Sequence, residues 1–419
     1  MWEVRLWDVP TGKPGRLLYK YPPDEWFGSI AFSPDGRLVA TGGKKKHGIH
    51  IWDASNGTEV RHIKDVSNEG GSLCFSPDSK ALACGKSLEP RGPDGRTLYM
   101  WDVASGKERV QFDLSVSWRE AYHGTPLAFS PDGRILASVS GEWERTMVRL
   151  WNTASGKELC RHKGHREWVG SIAFSPDGKL VASGSGFNGA KDSSVHVWEA
   201  ATGRLIRRFE GHHSCVSALM FSSDGLTVAS GAGDSTILLW DITGRRPDGR
   251  WHVKPLSSRQ LDASWSALAN ADAAKAYDAV WAFGATPEKA VPFLRKHLTP
   301  ARPPDAKLVA QRIAELDSDE FTVRQKAAEE LDKFGDVITP ALQQALEDKP
   351  SLEKRQRIRQ LLDQSREWTP EHLRAHRAIQ ALEHIGSRQA KELLQALAEG
   401  TPEARRTAEA KAALERMSR

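Results

Sequence analysis

The chain has 419 residues, which is long enough for two or three domains with substantial cores. Its formal net charge of +5, from 59 Lys and Arg against 54 Asp and Glu, is too small to predict a nucleic-acid-binding protein. The four cysteines form no CxxC pair and predict small buried side chains rather than a disulfide framework. Without an apolar stretch of about 18 residues or signal-peptide features, the sequence predicts a cytoplasmic protein that does not span a membrane.

Taken in chain order, the first 241 residues are dominated by one repeated pattern, an apolar run that ends in Trp and a small polar or acidic residue. Consecutive tryptophans of this pattern are 45, 49, 50, 47 and 42 residues apart. The motif FSPDG, or a close variant, keeps the same period, at 32–36, 75–79, 129–133, 174–178 and 221–225. Two motifs in phase at about 40–50 residues indicate a four-stranded propeller blade in each repeat. The six tryptophans are Trp7, Trp52, Trp101, Trp151, Trp198 and Trp240.

One repeat shows how the four strands are predicted. The alternation in Val169–Phe174 is typical of a half-buried strand, and Ser-Pro-Asp-Gly then supplies hairpin chemistry, because Pro fixes φ early and Gly allows a positive φ late. Lys179–Gly184 is the second strand and Val195–Trp198 the third. A Thr-Gly turn leads to the fourth strand, Arg204–Phe209.

These motifs resemble those of the WD40-repeat β-propeller proteins, including large bacterial ones, from residue 1 to about 256. The resemblance implies that a His, a Ser or Thr, an Asp and the Trp form a hydrogen-bonded network in a blade. Because the set recurs with the blades, we interpret it as structural rather than as a catalytic triad. Two repeats match all four positions, with His165, Ser183, Asp192 and Trp198, and with His212, Ser230, Asp234 and Trp240. Three earlier repeats have Lys46, Gly95 and Arg145 at the Asp position, and we expect less rigid blades there.

The predicted ring is incomplete. The first nine residues supply only a third strand and Leu17–Tyr21 a fourth, so a half blade precedes five complete blades, the last of which ends with Arg250–Leu256. The resemblance implies six to eight blades in a closed ring. Either the ring is open, with exposed strand edges, or Met1 is not the natural start, and the second explanation is favoured.

Residues 257–419 predict an α-helical domain, because Ala, Leu, Glu, Lys, Arg and Gln dominate and strand signals vanish. Gly284, Gly335 and Gly386 are 51 residues apart, and apolar residues recur at fixed offsets around each. The pattern resembles HEAT-like repeats, in three units of about 51 residues with an added helix each. An ordinary helical bundle is the alternative.

No enzyme signature was identified, so we predict a chain with no catalytic, cofactor-binding or metal site. Cys160, His162 and His165 look like a metal cluster, but His165 already has a structural role and no further ligand occurs at zinc-site spacing. A partner is expected on the rim formed by loops before the first and third strands, as the resemblance implies. The candidate rim residues are Trp26, Trp168, Lys45, Trp143, Glu144 and Lys191.

Tryptophans near strands can equally reflect core filling, so the rim assignment has an alternative of its own. The function predicted from the sequence is a non-catalytic scaffold for protein–protein interaction, with a propeller and a helical repeat surface. The alternative is a regulatory or substrate-docking C-terminal arm of a larger enzyme, such as a bacterial signalling kinase whose catalytic domain is not in this chain. The predicted partner is a protein or peptide in both cases.

Overall fold

The structure is a computed structural model, and it divides into two compact units, Met1–Thr243 and Gly244–Arg419. The predicted domain boundary after residue 256 lies beyond this division, and residues 244–255 are outside the described residues, so the boundary stays a prediction. The described residues are 3–20, 27–43, 48–64, 66, 72–86, 97–112, 126–140, 146–186, 192–243 and 256–418.

The described part of the first unit forms six antiparallel sheets that follow one another along the chain. Sheet 1 contains β1 (Glu3–Asp8) and β2 (Lys13–Lys20). Sheet 2 contains β3 (Phe27–Phe32), β4 (Leu38–Gly43), β5 (Ile49–Asp53) and β6 (Glu59–Ile63). Sheet 3 contains β7 (Leu73–Phe75), β8 (Ala81–Lys86), β9 (Thr97–Asp102) and β10 (Glu108–Phe112).

The later sheets repeat this meander. Sheet 4 contains β11 (Leu127–Phe129), β12 (Ile135–Ser140), β13 (Met147–Asn152) and β14 (Glu158–Lys163). Sheet 5 contains β15 (Val169–Phe174), β16 (Leu180–Ser185), β17 (Val195–Glu199) and β18 (Leu205–Phe209). Sheet 6 contains β19 (Val216–Phe221), β20 (Thr227–Ala232) and β21 (Ile237–Asp241).

The sheets confirm the predicted propeller-type fold and its half blade. Sheet 1 has only a third and a fourth strand, and sheets 2 to 5 have all four. Sheet 6 has three described strands, and the fourth strand predicted at Arg250–Leu256 lies, apart from Leu256, outside the described residues.

The Ser-Pro-Asp-Gly segments form hairpin turns held by side chains. In sheet 2 the Ser33 hydroxyl donates to the Asp35 carboxylate over 2.6 Å and accepts from the backbone N–H of Leu38 over 2.8 Å. Gly36 has φ +70°, a left-handed conformation that a Cβ disfavours. The turn therefore fixes the register of β3 and β4, and with it the face on which each side chain lies.

The core of this unit lies between successive sheets. In the third strands of sheets 2 to 4, the two apolar residues one and three positions before Trp pack on the following sheet, in the same cluster as the Trp of that sheet. Val148 and Leu150 of β13, for example, form one buried cluster with Val181 and Trp198 of sheet 5. Each sheet thus covers its neighbour's apolar face, as propeller blades do.

The described part of the second unit is helical, as predicted. Three successive groups of three helices follow the 51-residue period, namely α2–α4, α5–α7 and α8–α10. Gly335 lies between α5 and α6 and Gly386 between α8 and α9, and both have the left-handed conformation, with φ of +61° and +64°. Gly284, in contrast, is the last residue of α2. The helices are α1 (Ser258–Leu268), α2 (Ala273–Gly284), α3 (Pro287–His297), α4 (Ala306–Glu315), α5 (Phe321–Asp332), α6 (Thr339–Glu347), α7 (Leu352–Gln364), α8 (Pro370–Ile385), α9 (Arg388–Ala398) and α10 (Arg405–Arg416).

The packing order of these helices differs from that of a simple stack of repeats. A solenoid packs each repeat on the next one along the chain. Here α2 packs on α8 and α3 on α9, so the first group lies mainly against the third, while α4 to α7 share a separate apolar cluster around Leu331 and Ile358. The packing order is thus not that of repeats stacked in chain order, and both the HEAT-like repeats and the bundle stay predictions. None of the described helices is long and apolar enough to cross a membrane.

Candidate functional site

A buried hydrogen bond from the motif tryptophan recurs across the propeller sheets. In sheet 5 the Trp198 indole N–H donates to the Ser183 hydroxyl over 2.7 Å, and in sheet 6 Trp240 donates to Ser230 over 2.7 Å. The sequence analysis missed two further cases. They are Trp52 to Thr41 at 3.0 Å and Trp151 to Ser138 at 2.8 Å. A Ser or Thr at the middle of each second strand is the signal that could have found them.

Sheet 6 contains the full four-residue network. The His212 Nε2 and the Ser230 hydroxyl are 2.6 Å apart, and the His212 Nδ1 lies 3.2 Å from the Asp234 carboxylate. That carboxylate also accepts from the backbone N–H of His213 at 2.7 Å and from Thr236, and these hydrogen bonds hold the pKa of Asp234 well below its usual range. His212, Ser230, Asp234 and Trp240 are therefore joined in one chain of hydrogen bonds from a loop to the end of β21.

Sheet 5 contains the same four residue types, but its aspartate has other hydrogen-bond partners. The His165 Nε2 lies 2.7 Å from the Ser183 hydroxyl. Asp192 instead accepts from the backbone N–H of Arg166 at 3.3 Å and from the Arg208 guanidinium at 3.4 Å. The His165 ring stacks on His196, with 3.9 Å between ring centroids. The aspartate thus ties the loop to β18 rather than orienting the imidazole.

Sheet 3 has a cysteine, Cys84, where the other four-stranded sheets have the Ser or Thr partner of Trp. The positions that the sequence compared with the network Asp, Lys46, Gly95 and Arg145, lie outside the described residues, so the expected lower rigidity of those blades stays a prediction.

Three buried imidazoles lie around the interface between sheets 4 and 5. Burial lowers the pKa of His162 to about 4 and holds the pKa of His165 well below its usual range. Burial also lowers the pKa of His196 to about 4, and Arg208 contributes while Asp192 opposes. Imidazoles with such low pKa values stay neutral near pH 7 and are poor general bases there. We therefore interpret them as packing and hydrogen-bonding groups.

Cys160, His162 and His165, which the sequence analysis considered and set aside as a metal cluster, are not brought together at ligand spacing. The structure does not bring these three ligand atoms within 4.8 Å of one another. The Cys160 thiol lies 3.4 Å from the carbonyl oxygen of Ala200, and burial raises the pKa of this thiol to about 12. A protonated thiol is a poor metal ligand.

The predicted rim residues divide into one described side chain and five that are not described. Trp168 is only 7% exposed and packs in the apolar cluster between sheets 4 and 5 with Leu150 and Trp198. Trp168 is therefore a core residue, as the alternative interpretation of core filling predicts, and it is not an exposed anchor for a partner. The other five lie outside the described residues, namely Trp26, Lys45, Trp143, Glu144 and Lys191.

The sequence analysis also missed an exposed apolar face on sheet 6. Ile237 and Leu239 are 77% and 72% exposed, and Met220 lies exposed on the same face, since it and Leu239 both pair with Ala229. The equivalent residues of the four-stranded sheets are all buried under the next sheet. They are Ile49 and Ile51, Leu98 and Met100, Val148 and Leu150, and Val195 and Val197.

Sheet 1 exposes the other face of the repeat, which is the face that carries the motif tryptophan. Trp7 is 59% exposed, although Trp52, Trp151 and Trp198, its equivalents, are buried by the preceding sheet. Ile30 and Phe32 of β3 are also exposed, on the face of sheet 2 that carries Val39 and Trp52, where sheet 1 has no described first and second strand. Among the described sheets, sheet 1 therefore has an uncovered Trp face and sheet 6 an uncovered aliphatic face.

Comparison with known proteins agrees with this architecture. The family profile described as "WD domain, G-beta repeat" matches residues 15–53, 156–199 and 203–241. Human WD repeat-containing protein 88 is 46% identical over 70 residues, which are 16% of this chain and 15% of that protein. The Schizosaccharomyces pombe WD repeat-containing protein slp1 is 26% identical over 160 residues, covering 38% of this chain and 30% of that protein.

A third relative is the zebrafish WD repeat and SOCS box-containing protein 1, which is 30% identical over 102 residues, or 24% of this chain and 22% of that protein. The chain thus matches less than a third of the length of each of these three relatives, all of which are eukaryotic. The sheets, turns and Trp hydrogen bonds agree with the profile matches, which identify WD40 repeats at residues 15–53, 156–199 and 203–241.

Proposed function

We propose that the chain is a non-catalytic scaffold that binds other proteins through its WD40 repeats. The names of its relatives support a WD-repeat scaffold and include no enzyme family. The polar sets that could suggest catalysis recur in sheets 5 and 6 and are held in hydrogen bonds beside the motif tryptophan. We also propose that the helical unit is a second binding surface and that the protein is cytoplasmic. The alternative of a docking arm of a larger enzyme stays a prediction.

The observation that carries the proposal is the uncovered face of sheet 6. Its exposed aliphatic side chains occupy positions that every preceding sheet buries under a neighbouring Trp face. Burying a Leu or Ile side chain is worth about 1.5–3 kcal/mol, so this face favours a protein that covers it. The shape that fits is a β-sheet that presents a Trp-bearing third strand, because that is what covers the equivalent faces of sheets 2 to 4.

In a solution of the pure chain, a second copy supplies this partner. Its sheet 1 exposes Trp7 on a third strand, in the position that buried tryptophans occupy in sheets 2, 4 and 5. Pairing sheet 6 of one copy with sheet 1 of another is a head-to-tail contact, which leaves one face of each type open at the ends of the pair. We therefore expect assemblies that grow with concentration.

Sedimentation velocity across a concentration series tests this proposal. The wild-type chain is expected to form dimers and larger species, and Leu239→Lys is expected to remain monomeric because a charge on the face cannot be buried unpaired. Leu159→Lys is the matched control, since Leu159 is an exposed leucine on β14 away from the open face. A monomeric wild-type chain at all concentrations, or equal association of Leu239→Lys, would contradict the proposal.

A further inference from the structure

Two histidines and a glutamate meet on one face of sheet 2. His50 of β5 pairs directly with His62 of β6, and the two rings stack with 4.1 Å between centroids. A register shift in β6 turns Glu59 to the same face, opposite Trp52. One Glu59 carboxylate oxygen lies 3.4 Å from the His50 Nδ1 and 3.9 Å from the His62 Nδ1. One ligand atom from each residue lies within 4.8 Å of the others.

In sheet 4, the same three positions contain a carboxylate between two positively charged side chains. There Arg149 and Arg161 are the cross-strand pair, and Glu158 stands in the Glu59 position. The Glu158 carboxylate accepts from both guanidinium groups, at 3.3 Å and 2.6 Å. The geometry thus places a carboxylate between two positively charged groups, one from each strand.

Sheet 2 replaces both arginines with histidines, and this changes the chemistry of the position. A guanidinium is always charged and cannot ligate a metal, whereas a neutral imidazole is a common metal ligand. The corresponding residues in sheet 3 are Tyr99, Glu108 and Gln111, and in sheet 5 they are His196, Leu205 and Arg208. Among the described four-stranded sheets, sheet 2 therefore combines three ligating side chains at these positions.

We propose that His50, Glu59 and His62 bind a divalent transition-metal ion, with Zn²⁺ as the ion that fits best. Two imidazole nitrogens and one carboxylate oxygen form a ligand set that Zn²⁺ uses, with water at the fourth position. Imidazole ligands favour Zn²⁺ and its neighbours over Mg²⁺ or Ca²⁺, which prefer oxygen ligands.

The side chains can reach the shorter spacing that a bound ion requires. Ligand atoms about 2.0–2.2 Å from a tetrahedral ion are roughly 3.3–3.5 Å from one another, so the present spacings of up to 4.8 Å must shorten by about 1.5 Å at most. His50 is the fixed member, because its ring is buried and lies 5.2 Å from the Tyr19 ring and 5.4 Å from the Trp52 ring. Glu59 is exposed and His62 partly so, and both can rotate toward the ion from the solvent side.

A bound ion would join the third and fourth strands of sheet 2 beside the short sheet 1. Tyr19 of β2 contacts both His50 and Trp52, so the site lies at the junction of these two sheets. An ion that binds the folded state alone stabilises it by mass action. We therefore expect the metal to strengthen the junction of sheets 1 and 2.

Calorimetric titration of the full chain with ZnCl₂, after removal of metal by a chelator, tests this proposal. The expected result is one Zn²⁺ per chain, and Co²⁺ in its place should give the intense visible absorption of a tetrahedral site. The variant His62→Arg gives this position the residue type that sheet 4 has at Arg161, so it should keep the fold and lose at least 100-fold in Zn²⁺ affinity. His213→Arg, the same substitution at an exposed histidine of sheet 6, should leave the affinity unchanged.

Glu59→Gln provides a second variant that keeps the fold, because Glu59 is exposed, and it should weaken Zn²⁺ binding at least tenfold. The absence of stoichiometric Zn²⁺ binding by the wild-type chain would overturn the proposal. Equal binding by wild type, His62→Arg and Glu59→Gln would also overturn it, since the ion would then be held by other residues.

Discussion

Acidification should unfold the propeller unit through the imidazoles buried between sheets 4 and 5. In an unfolded chain a histidine takes up its proton near pH 6.5, whereas burial lowers the pKa values of His162 and His196 to about 4 in the folded state. Between these values the unfolded state binds more protons, so the free energy of unfolding falls as the pH falls. The stability that depends on neutral imidazoles is complete above about pH 7 and is lost progressively down to pH 4.

The magnitude follows from these pKa values. Between pH 7 and pH 5, each of the two histidines should lower the free energy of unfolding by about 2 kcal/mol, and the two together by about 4 kcal/mol. That is a large share of the 5–15 kcal/mol by which folded domains are stable. His165, whose pKa is also lowered, adds in the same direction.

Urea unfolding followed by hydrogen-exchange mass spectrometry of peptides from β14 to β17 measures this effect locally. In His162→Gln, the fall in the free energy of unfolding between pH 7 and pH 5 should be about 2 kcal/mol smaller than in the wild type, because one titrating imidazole is gone. Any cost of the substitution that does not depend on pH cancels in this difference. His213→Gln, at an exposed histidine, is the matched control and should keep the wild-type pH dependence. The same pH dependence in wild type and His162→Gln would refute the reasoning.

Three further substitutions test the buried hydrogen bonds. Ser183→Ala should lower the free energy of unfolding of the propeller unit by about 2–4 kcal/mol in urea titrations, because the Trp198 indole and the His165 imidazole lose a shared partner in the core. Ser230→Ala should cost less, since Trp240 is partly exposed, and equal costs would contradict this interpretation. In the helical unit, Arg377 is fully buried and donates to the carbonyl oxygens of Leu268 and Asn270 at 2.6 and 2.9 Å, at the end of α1. Arg377→Met should cost about 2–3 kcal/mol in urea unfolding of the helical unit, and an unchanged stability would show that solvent satisfies these carbonyls.

The sequence predicted the propeller sheets because strand periodicity and turn chemistry act locally. The register of each hairpin depends on a Ser, a Pro, an Asp and a Gly that follow one another in the turn, and these residues can be recognised in the sequence. The half blade could be counted in the same way. The hydrogen bond from Trp52 to Thr41 was missed because the comparison required all four network residues, although the structure needs only two of them.

Exposure was harder to predict because it depends on which sheet lies next to which. Trp168 and Trp7 have the same side chain, yet one is buried between two sheets and the other lies on an uncovered face. Likewise, the 51-residue spacing located the helices, but the packing of α2 on α8 depends on contacts between residues almost 100 positions apart. His50 and His62 were missed as a pair because only a cross-strand register brings them together.

Disulfide trapping between two copies tests the scaffold proposal most directly. One chain carries Leu239→Cys on the face of sheet 6, and the other carries Trp7→Cys on sheet 1. We expect a mixture of the two chains to form disulfide-linked dimers under mild oxidation, and either chain alone to form far fewer. Dimers that form equally in the mixture and in each chain alone, or no dimers in any sample, would contradict head-to-tail pairing of the open propeller faces.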